Sequence, residues 1–164
     1  MNKKAGIIVL TLLAWVGIAA FLLTRETAAP SVSFTSLAGE KIAMQDLRGK
    51  VVLVNFWATT CAPCAREMPR LSETYRKYRA RGLETIAVAM SYDPPMYVER
   101  FARHNELPFK VALDGRGEIA KAFEGVDVTP TTYIINKQGK IIRHIAGELD
   151  FPTLEALLEK ELAV

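Results

Sequence analysis

Val51-Val52-Leu53-Val54-Asn55-Phe56-Trp57-Ala58-Thr59-Thr60-Cys61-Ala62-Pro63-Cys64 is the stretch on which the reading of this chain turns. Its first seven residues are nearly all apolar and rich in valine, as expected of a strand buried on both faces. The two cysteines that follow are the only ones in 164 residues. Beyond them, Met68, Leu71, Tyr75 and Tyr78 recur at three- and four-residue spacing among charges, which predicts an amphipathic helix from Ala62 to Arg81, ended by Gly82. Pro63 falls in its first turn, where a missing N–H costs nothing, whereas Pro69 lies inside and should kink it.

A strand that delivers a cysteine to the first turn of a helix sets its sulfur beside unpaired backbone N–H groups and the positive end of the helix dipole. Both favour thiolate over thiol. Cys64, three positions on, is within one turn and can attack a mixed disulfide formed by Cys61. The spacing thus points to a redox dithiol. A structural zinc site would need four ligands, and there is no second cysteine pair. His104 and His144, the only histidines, lack the spacing of a zinc pair, so no metal and no cofactor are expected.

The N-terminus carries a different signal. Residues Ala5 to Leu23 are uncharged and, at about 1.5 Å per residue, would cross most of a hydrocarbon core roughly 30 Å thick. Lys3 and Lys4 precede this run, which by the positive-inside rule places the N-terminus in the cytoplasm and the rest outside. Thr27-Ala28-Ala29 resembles a signal-peptide cleavage site, but the apolar run is longer than usual for such a peptide and Arg25 and Glu26 intervene. The expectation is an uncleaved transmembrane anchor over residues 1–24, a tether over 25–31 and one domain over 32–164. The net charge of +3 owes two units to Lys3 and Lys4, leaving 19 basic against 18 acidic side chains, so nothing points to nucleic acid. An exported domain sits where disulfides persist, and a lone C-x-x-C there has to be kept reduced by an electron source.

Further elements follow from pattern. Val32–Phe34 and Lys41–Ala43 flank Ala38-Gly39 as a hairpin, and Leu83–Met90 is a second buried strand. Pro95–Asn105 is a short helix, Phe109–Leu113 a strand and Gly117–Phe123 a helix. Thr132–Asn136 and Lys140–Ala146 form a hairpin about Lys137-Gln138-Gly139, and Phe151–Leu162 closes the chain as a helix. Strands alternating with helices and then a hairpin give an α/β class with a mixed central sheet.

Taken with Arg66-Glu67-Met68-Pro69, Val128-Thr129-Pro130-Thr131-Thr132-Tyr133 and Gly139-Lys140-Ile141, the opening stretch resembles the TlpA/ResA/CcmG group. These are membrane-tethered, thioredoxin-like thiol-disulfide reductases of the bacterial cell envelope. The resemblance implies a thioredoxin-like fold with an N-terminal β-hairpin extension and a mid-fold insert around Pro94 to Leu113. It implies that Cys61 attacks, that Cys64 resolves and that Thr129-Pro130 is a cis peptide bond facing the disulfide. Thr129 and Pro130, with Trp57, Ala62 and Pro63, are the residues expected to meet substrate. Asn55 stands where thioredoxin carries a buried aspartate, and Glu67 matches the acid that this group uses instead. Thr60 departs from the group's usual tryptophan before the first cysteine.

Ala62-Pro63 lacks the histidine of strongly oxidising exchangers, which favours a reductase. The implied partners are disulfides of exported proteins, typically apocytochrome c or an oxidase copper site, and a membrane thiol-disulfide electron donor. The implied location is the bacterial inner membrane, single-pass, with the domain on the extracytoplasmic side. Two other readings compete. A thiol peroxidase would need a threonine where Ala58 stands. A copper(I) chaperone or adaptor would use the thiolates, assisted by Met68, Met90 or Met96.

Overall fold

A computed structural model describes residues 27–124 and 126–163. The expected anchor at Ala5–Leu23 lies outside the described residues, among which no helix is long and apolar enough to cross a membrane. The elements run β1 (Thr27–Ala28), β2 (Ser33–Thr35), β3 (Lys41–Ala43), a 3-10 turn at Met44–Leu47, β4 (Val51–Trp57) and α1 (Ala62–Tyr78). There follow β5 (Leu83–Ala89), α2 (Pro95–His104), β6 (Lys110–Leu113), α3 (Glu118–Ala122), β7 (Thr131–Ile135), β8 (Lys140–Ala146) and α4 (Phe151–Ala163).

Six strands form one mixed sheet in the order β1-β8-β7-β4-β5-β6, and β2 and β3 form a separate hairpin. β4 pairs in parallel with β5, and β5 with β6. β7 lies antiparallel to β4, and β8 antiparallel to β7. The α/β class with a mixed sheet and the N-terminal hairpin is therefore as the sequence leads one to expect, with boundaries within two residues for most elements.

All seven residues of β4 are buried, because the strand is central and both faces are covered. Its alternation sorts them. Val51, Leu53 and Trp57 join one apolar cluster with Met68, Leu71 and Tyr78 of α1 and Leu154 and Leu158 of α4. Val52, Val54 and Phe56 join the other, with Phe34 and Ile42 of the hairpin and Phe123 and Tyr133. Asn55, odd-numbered like Trp57, therefore faces the α1 side.

The tether expected over 25–31 is partly structured. Thr27 and Ala28 pair antiparallel with Ile141 and Lys140, and the Ala29 N–H donates to the Gly139 carbonyl at 2.9 Å. Two small residues carry no periodic signal, and the pairing is recruited by the outer edge of β8.

Candidate functional site

The site is built where β4 ends. The Met90 N–H donates to the Trp57 carbonyl at 3.0 Å, holding the ends of β4 and β5 together, and the Cys61 N–H closes a turn on the Ala58 carbonyl at 3.1 Å. Within that turn Thr59 is tied twice to the buried Asp93: its N–H to Oδ2 and its hydroxyl to Oδ1, each at 2.6 Å. Cys61 is the N-cap of α1, and its Sγ accepts from the Cys64 N–H at 3.3 Å. A sulfur thus takes the place usually filled by a serine or aspartate oxygen at a helix start. Pro63 in the first turn gives up no intrahelical bond.

Cys61 and Cys64 are joined as a disulfide. They are unequal in access: Cys61 is half-buried, Cys64 is 0% exposed and packed in the α1-side core. Ala62 is exposed, Pro63 half-buried and Thr60 exposed beside them.

One turn beyond Cys64, Glu67 is only 5% exposed. Its Oε1 accepts from Asn55 Nδ2 at 2.9 Å, and its Oε2 from the Leu149 N–H at 3.3 Å. The other hydrogen of Asn55 Nδ2 goes to Thr132 Oγ1 at 3.0 Å, across the register pair Asn55–Thr132. Burial pushes the Glu67 carboxyl above its ordinary value of 4.5, opposed by the Asn55 and Leu149 hydrogen bonds and reinforced by the charge of nearby Glu148. Glu148 is itself paired with Arg66. The result is a carboxyl that holds a proton more readily than a solvated one, on the helix that carries the cysteines.

The Thr129-Pro130 bond is cis. Since Phe56 pairs with Thr131, Pro130 lies beyond β7 at the end of the sheet where β4 delivers the dithiol. The Pro130 carbonyl accepts from the Gly147 N–H at 2.8 Å, and the Thr131 hydroxyl donates to the Val128 carbonyl at 2.8 Å. Trp57 has no exposed surface; its ring lies against Phe101 with centroids 5.0 Å apart. It therefore belongs to the packing beneath the site, where burial denies it the substrate contact expected from the sequence.

The sequence reading missed Asp93, Thr132 and the Leu149 N–H. Asp93 precedes Pro94-Pro95 and so carries the signal of a helix start, yet α2 has no side-chain cap and the carboxylate turns to Thr59 instead. A polar residue in an apolar strand was the available clue for Thr132.

Comparison with known proteins places this geometry. The AhpC/TSA family model matches residues 26–144. The chain is 42% identical over 132 residues to the thiol-disulfide oxidoreductase ResA of Bacillus thuringiensis subsp. konkukian, covering 80% of this chain and 75% of that protein. It is 37% identical over 161 residues to the ResA of Geobacillus thermodenitrificans, covering 93% and 91%. Among solved structures, a thioredoxin-family thiol:disulfide interchange protein from Chlorobium tepidum superposes with a TM-score of 0.77 at 25% identity, over 85% of this chain and 98% of that one. The sheet order, the helix-capping C-x-x-C and these likenesses agree, and the chain belongs to the AhpC/TSA family, within it to the thiol-disulfide oxidoreductases named ResA.

Proposed function

We propose that this oxidoreductase works as a reductase of disulfides in exported proteins, held at the outer face of the cytoplasmic membrane by residues 5–23. The observation that carries the reading is the inequality of the two sulfurs: one half-buried at a helix N-terminus, the other fully enclosed behind it.

In the reduced protein the Cys61 thiolate attacks one sulfur of the substrate disulfide. A new S–S bond forms to Cys61, the substrate bond breaks, and the departing substrate sulfur takes a proton. Cys64 then attacks Cys61 Sγ, restoring the Cys61–Cys64 disulfide and releasing the second substrate sulfur as a thiol. Two electrons pass from the protein to the substrate. Cys64 must lose its proton in the second step, and Glu67, one turn along the same helix, is the group placed to receive it. A membrane thiol-disulfide donor returns the electrons.

Ala62 and Pro63 flank the sulfurs on the accessible side, and Thr129 offers backbone that makes no hydrogen bond among the described residues, so an extended substrate segment can pair with it. Apocytochrome c and the copper-site cysteines of an oxidase are the substrate kinds that fit an exported dithiol of this sort.

Substituting each cysteine tests the order of attack. Cys64→Ser should accumulate mixed disulfides with exported proteins, because the attack succeeds and the resolution fails; Cys61→Ser should trap little. Non-reducing gels of membranes read the outcome. Equal trapping by both variants, or more by Cys61→Ser, would reverse the assignment.

A further inference from the structure

The described residues expose four large apolar side chains: Tyr92 at 60%, Met96 at 68%, Tyr97 at 50% and Val128 at 54%. Their positions are not scattered. Tyr92, Met96 and Tyr97 follow β5, whose last residue, Ala89, pairs with Trp57. Val128 precedes Thr131, which pairs with Phe56. All four therefore belong to segments at the dithiol end of the sheet.

Between the Thr59 turn and α2 runs a groove of about 410 Å³, lined by Thr59, Tyr97, Arg100, Phe101, His104 and Asn105. It begins two residues before Cys61. Its floor is fixed, because Phe101 leans on the buried Trp57 and Thr59 is pinned by Asp93.

The charge in this groove is unbalanced. Several cations elsewhere on the molecule have a carboxylate at hand: Arg66 with Glu148, Lys77 with Glu155, Arg81 with Glu159, Lys110 with Glu40. Arg100 has no carboxylate partner among the described residues. The nearest carboxylate in sequence, Glu99, does not line the groove, and Asp93 is occupied by Thr59. A cation in the last turn of a helix is explained by the helix dipole, which covers Arg103 but not Arg100.

We propose that this groove is a substrate subsite that selects disulfide segments flanked by an acidic side chain, with Arg100 pairing the carboxylate and Tyr97 and Phe101 receiving an adjacent apolar residue. The inference rests on the dithiol exchange proposed above. Arginine suits the task because its planar fork meets a carboxylate with two parallel bonds. A partly exposed pair of this kind discriminates by a few-fold rather than by orders of magnitude.

The test uses the full chain in detergent, reduced beforehand, and two probes. Each probe is a short peptide with one cysteine, dimerised through its disulfide. One carries aspartate and phenylalanine beside the cysteine, the other lysine in place of aspartate. The rate at which each probe oxidises the protein is followed by acid quench and mass spectrometry. Wild type should react about three- to fivefold faster with the acidic probe, and the preference should fade at about 1 M salt, where screening reaches ~3 Å. Arg100→Lys should keep part of the preference, Arg100→Gln lose it and Arg100→Glu invert it. Equal rates for the two probes in wild type, or a preference untouched in Arg100→Glu, overturns the subsite. Reaction of the wild type with hydroxyethyl disulfide, small and uncharged, reports on the dithiol alone. Its failure would overturn the exchange reading and the subsite with it, while its success beside absent probe selectivity would overturn the subsite only.

Discussion

At Glu67 burial and hydrogen bonding pull in opposite directions, and burial is the larger. An acid raised in this way is disfavoured as an anion by the fold, so the native state keeps its proton to higher pH than the unfolded chain. The sign follows: the contribution of Glu67 to stability is full below the ordinary value of 4.5 and is lost as pH rises through the raised value. Glu67→Gln removes that dependence. With the disulfide intact, the urea midpoint of wild type relative to Glu67→Gln should therefore fall between pH 4 and pH 8, and a constant difference would show that Glu67 does not titrate in this range. In the reduced protein the same variant should change the pH profile of Cys61 alkylation if the carboxyl exchanges protons with the dithiol. A purely structural glutamate would leave that profile where it is. Spacing and pattern show the residue only as a charge on a helix face three positions after Cys64, and it is the resemblance to the TlpA/ResA/CcmG group that singles it out. That it is buried depends on Asn55 and Leu149, 12 and 82 positions away, and no local pattern reports contacts of that range.

Among the elements, those that sequence made legible are the ones whose burial is periodic. β4 and β5 are predominantly apolar, interrupted only by Asn55 and by Glu84-Thr85, because both faces are covered, and α1 shows its stripe because only one face is. The loop ahead of α1 was not legible, since beyond its own Cys61–Ala58 turn it is held by a carboxylate reaching back from beyond β5. Asp93→Ala should test how much that loop depends on it. Losing two hydrogen bonds to a buried carboxylate should cost about 1–3 kcal/mol, seen as a lower urea midpoint, and exchange with a small disulfide should slow as the start of α1 loosens. Asp93→Asn should cost less. Its amide oxygen can still accept from the Thr59 N–H, and its NH₂ can donate to a Thr59 hydroxyl that has turned to accept. If the alanine and asparagine variants were equally destabilised, the charge rather than the hydrogen bonds would be the holding interaction.

For the whole molecule, the proposed anchor makes a direct expectation: the protein should remain with membranes through a carbonate wash, and mass spectrometry should find residues 1–24 retained. A mature start between Ala28 and Pro30 would exclude it, and would also remove the residues that open β1. The pairing of that short strand bears on where the enzyme can act. Thr27 pairs with Ile141, Ile141 with Ile135 and Ile135 with Val52. The chain thus joins the sheet three strands across from β4, about 14 Å away, and five residues short of Trp57, about 17 Å along the strands. The dithiol consequently stands roughly 20 Å from the point of entry, while residues 24–26 add at most about 10 Å of slack. For an anchored chain this fixes a working altitude: a donor in the same membrane has to raise its thiols into a shell within about 30 Å of the bilayer surface, and disulfides farther out are beyond the enzyme's reach until their proteins come down to it.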